Sequence, residues 1–300
     1  MVITTLVDFD ALMRTSHVLW REFIDRLLHD ERGAITTIGG IIAGMIPPRD
    51  YLKVGVTMKA AGVMHSHFYS PGLPGAAVAP TPGLAGAALT SYLGQIPWTN
   101  PASGNSYLAR FSVRSNLVGV MFLLDRLWHN SGIVVTTTTA QTINSVEFPA
   151  RDRDGAVNGE NILVAIEVST ATTNASAITN TTMSYTNSQG VSGRTATIPS
   201  FPATAVAGSF VPFLLQAGDT GIKSIQSITL GTSYGGGAIH LVAYRILAQV
   251  GISVAYISGE VDAITSGFPR LYNNTVPFLV WLPSATTAVT VAGQMIVTQG

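Results

Sequence analysis

The chain contains no cysteine. Disulfides, thiolate nucleophiles and cysteine-ligated metals are therefore excluded, and the composition suits assembly in a reducing compartment. Charge is the second scarcity. Asp, Glu, Lys and Arg make up 11% of 300 residues, whereas a freely diffusing domain carries mixed charge at about a quarter or more of its surface positions. Acids and bases balance at 16 each, so no cationic excess exists to neutralise phosphates, and nucleic acid is not an expected partner. Lysine occurs only at Lys53, Lys59 and Lys223. Long apolar helices are missing too. The run 34–46 falls below the roughly 20 residues needed to span a bilayer. The stretch 237–258 is long enough but carries His240, Arg245 and Gln249. Central charge is costly in lipid, and the stretch reads as a pair of strands, so no membrane partner is expected. Met1-Val2-Ile3-Thr4 lacks the basic and apolar regions of a secretory signal.

The charge that is present gathers at one end. Ten of the 32 charged side chains fall in the first 32 positions, none lies between 60 and 109, and nine follow from Gly155 onward. Within 8–31, Phe9, Leu12, Trp20, Phe23 and Leu27 recur at helical spacing and form one apolar stripe. Asp8 and Asp10 suit the positive end of a helix, and Gly33 is placed to stop it. The expectation is an amphipathic helix over 1–33 that covers its own core or docks on a neighbouring subunit. Residues 34–106 read as an extended Gly/Pro/Ala-rich arm with a short strand near 49–58. Between 71 and 106 stand six prolines and six glycines. An uncharged apolar segment of this kind is expected to lie ordered against its own domain or a neighbour, with Trp98 as a candidate contact.

From residue 107 the texture becomes short Val/Ile/Thr/aromatic runs separated by Gly, Asn, Ser and Pro. Strands are expected at 107–113, 118–124, 133–139, 161–168, 181–187, 194–198, 209–215, 224–230, 238–247, 276–282 and 289–297. No segment resembles the crossover helices that a parallel sheet requires. The fold class that follows is mainly β: an antiparallel β-sandwich, jelly-roll-like body over 107–300, preceded by the helix and the arm.

Chemical motifs are few. His65-x-His67 shares one face only on a strand, and no acid lies near it in sequence to complete a metal set. Arg151, Asp152, Arg153 and Asp154, closed by Gly155, depart from calcium-loop spacing. They read as a charged turn available for inter-subunit ion pairs. Residues 218–224 fail the phosphate-loop pattern because Ile222 separates Gly221 from Lys223. No nucleophile elbow or zincin motif occurs. No catalytic residue, cofactor or metal is assigned. Trp98, Trp128 and Trp281 invite a sugar-stacking reading, although aromatics at strand positions usually serve cores or interfaces.

Asp125-Arg126-Leu127-Trp128-His129-Asn130-Ser131-Gly132, the Thr-rich 136–142 that follows, Pro97-Trp98-x-x-Pro101, Ser106-Tyr107-Leu108-x-Arg110 and Gly267-Phe268-Pro269-Arg270 together resemble a group of tailed-bacteriophage virion structural proteins. In that group Gly-Gly follows the His, where this chain has Asn130-Ser131. The resemblance implies a capsid cement or decoration protein, assembled in the host cytoplasm and located in the virion. Its implied partners are the major capsid protein or other virion proteins and further copies of itself, a trimer being the symmetry that suits lattice sites. Two alternatives are a receptor- or glycan-binding tail or head fibre module and a neck or tail ring component.

Overall fold

The computed structural model describes residue 35 and residues 37–300; the expected N-terminal helix, with Phe9, Leu12, Trp20, Phe23 and Leu27, lies outside them. The described chain is mainly β. It opens with a short helix α1 (Ile38–Ala43), whose first turn is capped by the Thr37 hydroxyl accepting from the Gly40 amide at 2.9 Å. Strands follow in order: β1 (Arg49–Val56), β2 (His65–Ser66), β3 (Gly72–Leu73), β4 (Ala87–Ala88), β5 (Ser106–Ser115), β6 (Gly119–His129), β7 (Gln141–Thr142), β8 (Leu163–Thr170) and β9 (Thr181–Asn187). Then come β10 (Arg194–Ile198), β11 (Phe210–Pro212), β12 (Ile222–Thr229), β13 (Ala238–Ile252), β14 (Gly259–Asp262), β15 (Arg270–Leu271), β16 (Pro277–Pro283) and β17 (Val289–Gln299).

These strands form three antiparallel sheets. The central sheet runs β11-β8-β13-β6-β16-β2, with β4 added on β6. An outer sheet runs β14-β5-β17-β1-β3, with β15 added on β5, and a far sheet runs β10-β9-β12-β7. Alternation explains the sandwich directly. In β9, Thr181, Met183, Tyr185 and Asn187 are buried, while Thr182, Ser184 and Thr186 are half-exposed, the period of two that a one-sided strand requires.

The central sheet serves two main cores on one side. Leu127, Val164, Ile166, Ile239 and Leu241 pack with Met183, Tyr185, Ile198 and Ile225 of the far sheet. Met121, Leu123, Leu247, Val250 and Trp281 pack with Phe111, Val113, Val291 and Met295 of the outer sheet. Strand β13 reaches both cores because of a bulge. Ile239, Leu241 and Ala243 belong to the first core, whereas Ala248, Val250 and Ile252 belong to the second. The register shift between Ile246 and Ala248 inserts Leu247 and exchanges odd for even positions. A third apolar cluster, including Phe68, Leu124, Phe210, Val242 and Phe278, covers the opposite face of the central sheet.

Residues 37–106 are integrated with this body. Tyr51, Met58, Phe68, Leu89 and Ile96 from this segment are buried. β1 lies between β17 and β3, and β2 pairs with β16. Gly86, at φ +72°, lets the chain cross the Trp128 ring, where any side chain would collide with the indole. The Trp128 Nε1–H donates to the Ala85 carbonyl oxygen at 3.0 Å.

Two strand expectations need correction. Residues 133–139 form a turn region, because the Gln141 side chain takes the place of a neighbouring strand. Its amide accepts from the Val134 N–H at 2.8 Å and donates to the Val134 carbonyl at 2.9 Å. The stretch 237–258 holds a single strand of 15 residues, β13, rather than a pair. No helix among the described residues is long and apolar enough to cross a membrane.

Candidate interaction surface

The outer sheet buries one face in the second core and leaves the other open. On β1, Tyr51 and Lys53 turn inward while Leu52 and Val54, each 41% exposed, turn outward. Leu52 stands opposite Leu73 of β3 on one side and Ala292 of β17 on the other, and Ala292 stands opposite Arg114 of β5. The next row is polar: Asp50, Gln294, Ser112 and Glu260. The Gln294 amide donates to Asp50 at 2.9 Å, and Arg110 pairs with Glu260 at the surface. Ile38, Ile42 and Met45, at and after α1, are exposed apolar side chains near the C-terminal end of β17, where Met45 bridges to Thr298. Thr298 holds this segment through a 2.8 Å hydrogen bond to the Ile41 carbonyl. A second apolar group, Val254, Tyr256, Ile257 and Ile264, flanks β14.

Among the described residues, eighteen large apolar side chains are exposed but only nine charged ones are. Part of the reason is that seven charged side chains are buried: Lys53, Asp125, Arg126, Arg151, Asp152, Glu167 and Arg245. A chain poor in charge has therefore placed much of it inside.

The charged turn divides along its length. Arg151 is buried, bonds Asp125 through two nitrogens at 3.0 and 3.2 Å, and donates to the Leu89 carbonyl at 2.7 Å. Asp152 is buried and accepts the backbone N–H groups of Asp154, Ala156, Gly159 and Glu160. Both side chains are consumed in closing the loop. Arg153 and Asp154 are exposed and pair with each other at 2.9 Å; theirs are the two side chains of this turn that a neighbour can reach. Trp98 is half-buried against the second core and donates to the Thr275 carbonyl at 2.6 Å. Trp128 and Trp281 are core residues with no exposed ring face, so the three tryptophans do not form a stacking platform.

Sequence reasoning missed the ionic centre on the opposite face of the central sheet. Arg126 of β6 and Glu167 of β8, both 0% exposed, form a two-point pair at 2.7 and 3.0 Å. The Tyr69 hydroxyl donates to Glu167 at 3.0 Å, and Arg126 donates to His129 Nδ1 at 3.2 Å. The guanidinium lies 4.2 Å from the Phe68 ring centroid. Burial, the largest single influence, would raise the Glu167 carboxyl, but the Arg126 charge, hydrogen bonds from Arg126 and Ser66 and the nearby His240 together outweigh it and hold it below its ordinary value. His65, His67, His129 and His240 are all buried around this centre, and burial lowers each of them, His65 to about 4 and His129 to about 2. His65 and His67 sit 5.7 Å apart, edge to face. No group of three His, Cys, Asp or Glu side chains among the described residues is arranged to hold a metal. The signal in the sequence was charge inside apolar runs, the adjacent Asp125 and Arg126 within 118–128 and Glu167 within 162–168.

No protein-family model and no curated protein sequence matches the chain. Solved structures give a faint likeness. The structure of the infectious bursal disease virus Gt strain shares 14% identity over 92% of this chain and 86% of that chain, at a TM-score of 0.21. The VP2 subviral particle of the same virus shares 10% identity over 93% and 86% of the two chains, at 0.18. At TM-scores of this size two backbones do not superpose as one fold.

Proposed function

We propose that the protein is a virion structural component, a capsid cement or decoration protein that stabilises a shell through repeated contacts with major capsid protein and with copies of itself. The observation that carries this reading is the surface imbalance: eighteen exposed large apolar side chains against nine exposed charges among the described residues. Apolar area returns about 25 cal/mol per Å² when covered, and a stable contact buries about 800 Å² per partner. The outer sheet with α1 supplies a broad face of this kind, and the apolar stripe expected within 1–33 supplies a second. Many weak identical contacts on a lattice then add by multivalency. On this reading Phe9, Leu12, Trp20, Phe23 and Leu27 engage a neighbour, and Arg153 and Asp154 exchange ion partners across a contact.

The fibre-module reading requires exposed aromatic platforms. Tyr256 is the one aromatic among the strongly exposed large apolar side chains of the described residues, so the structural reading is preferred. The deciding experiment compares the full chain with a variant lacking residues 1–34, by sedimentation and by incorporation into shells. Self-association of the full chain that the deletion weakens supports the reading. A full chain that stays monomeric at high concentration and binds no shell removes it.

A further inference from the structure

Beside the β13 bulge the molecule holds an open cavity of about 450 Å³. Arg153, Arg245 and Arg270 line it together with Leu163, Ile246 and Phe268, and no carboxylate does. Arg245 is the buried member, 7% exposed. Its Nη2 donates to the Arg270 carbonyl oxygen at 3.0 Å, while its Nε is buried with no hydrogen-bond partner. The carboxylate within ion-pair range, Asp125, stands 3.9 Å away and is already held by Arg151 at two points and by the Val276 amide at 2.9 Å. Asp152 is taken up by backbone amides. Arg245 thus lines the cavity as a largely desolvated cation, its guanidinium 5.1 Å from the Tyr272 ring centroid and its covered Nε–H unpaired, a state that costs free energy until a further acceptor approaches.

We infer that this cavity binds a carboxylate carried on an apolar stem. The planar guanidinium fork matches a carboxylate, and the remaining wall suits hydrocarbon. Ile246 is 44% exposed there. Phe268 is held at φ +53° with its ring stacked on Tyr107, centroids 4.5 Å apart. A phosphate dianion needs more donors than one partly engaged guanidinium offers. Arg270 at the rim attracts the anion, Arg153 being paired with Asp154 at 2.9 Å and with Glu160 at 3.4 Å, and Arg245 receives it. The carboxylate comes either from a free small acid or from an acidic side chain of a second copy.

The test titrates isotope-labelled full chain with hexanoate at low salt, following amide shifts, with acetate, 1-hexanol and inorganic phosphate as controls. The expected result is saturable hexanoate binding that shifts the amides of 245–247 and 266–270. Acetate, hexanol and phosphate should each bind at least tenfold more weakly. Arg245→Gln should abolish binding. Should that variant fold poorly, the exposed-rim substitution Arg270→Gln should weaken hexanoate several-fold at unchanged Tm. Absence of saturable shifts in the unaltered protein, hexanol binding as tightly as hexanoate, or a rim variant with full affinity would each overturn the inference. Sedimentation with and without hexanoate assigns the source. Dissociation of oligomers identifies a neighbour's side chain, and an unchanged distribution identifies a free acid.

Discussion

Leu52 and Glu167 sit in opposite settings, each reversed from what solvation favours. Leu52 is 41% exposed on the outer sheet, and Glu167 is 0% exposed beneath the third apolar cluster. The contrast extends to their surroundings. Leu52 has Leu73 and Ala292 beside it on an open face, whereas Glu167 has Arg126, Tyr69 and a shell of aromatic rings. A buried ion pair contributes little net stability compared with good apolar packing, but losing one partner is severe. The pair therefore acts best as a positioning device. Arg126 on β6 and Glu167 on β8 flank β13, so their two-point contact fixes three strands against slippage. The outer face needs no such device if another molecule covers it. The far sheet supplies the control, because its outward positions, Thr182, Ser184, Thr195 and Thr197, carry hydroxyl groups.

The strongest way to break the comparison is to strand the buried cation. Glu167→Gln should lower unfolding free energy by about 3–5 kcal/mol in chemical denaturation; a loss under about 1 kcal/mol would mean that the site is wet. Acid should act on the same region. The folded-state values of His65, His67, His129 and His240 lie below the ordinary 6.5, so the unfolded chain takes up protons first. Stability should be full above about pH 6.5 and fall as pH drops toward about 4, by up to about 1.4 kcal/mol per pH unit for each histidine. Thermal melting across that window measures the slope, and a flat profile contradicts the burial of these rings.

On the outer sheet the effect should move from stability to association. Leu52→Ser with Leu73→Ser should change unfolding free energy by only about 0.5 kcal/mol each. The same pair should weaken self-association or shell binding about tenfold, near 1.4 kcal/mol, as read by sedimentation. The smallest effect belongs to the far sheet, where Thr195→Ser and Thr197→Ser should leave both quantities within about 0.5 kcal/mol. An association defect there would move the contact face.

Strand β9 was legible to the residue because its alternation is strict and Asn187 ends it. β10 was legible for the same reason. β13 was read five residues short, since Gln249 and Gly251 look like terminators; in the fold they lie on the exposed side beyond the bulge. The stretch 133–139 has strand composition, but the Gln141 amide takes both backbone groups of Val134, and the Tyr234 N–H donates to the Val135 carbonyl oxygen. The states of Trp98 and Arg151 depend on Thr275 and Asp125, which local pattern does not reveal, whereas Asp152 is taken up by four amides within the next eight residues. Arg245 was noticed only as an argument against a membrane span, and its unused N–H became visible only in three dimensions.

The bulge at Leu247 has a further consequence. Because one continuous backbone threads both halves of the sandwich, neither half can melt while the other keeps its rails. Heat should therefore dissolve both together, as a single calorimetric peak, despite a surface cleft deep enough to admit a small guest.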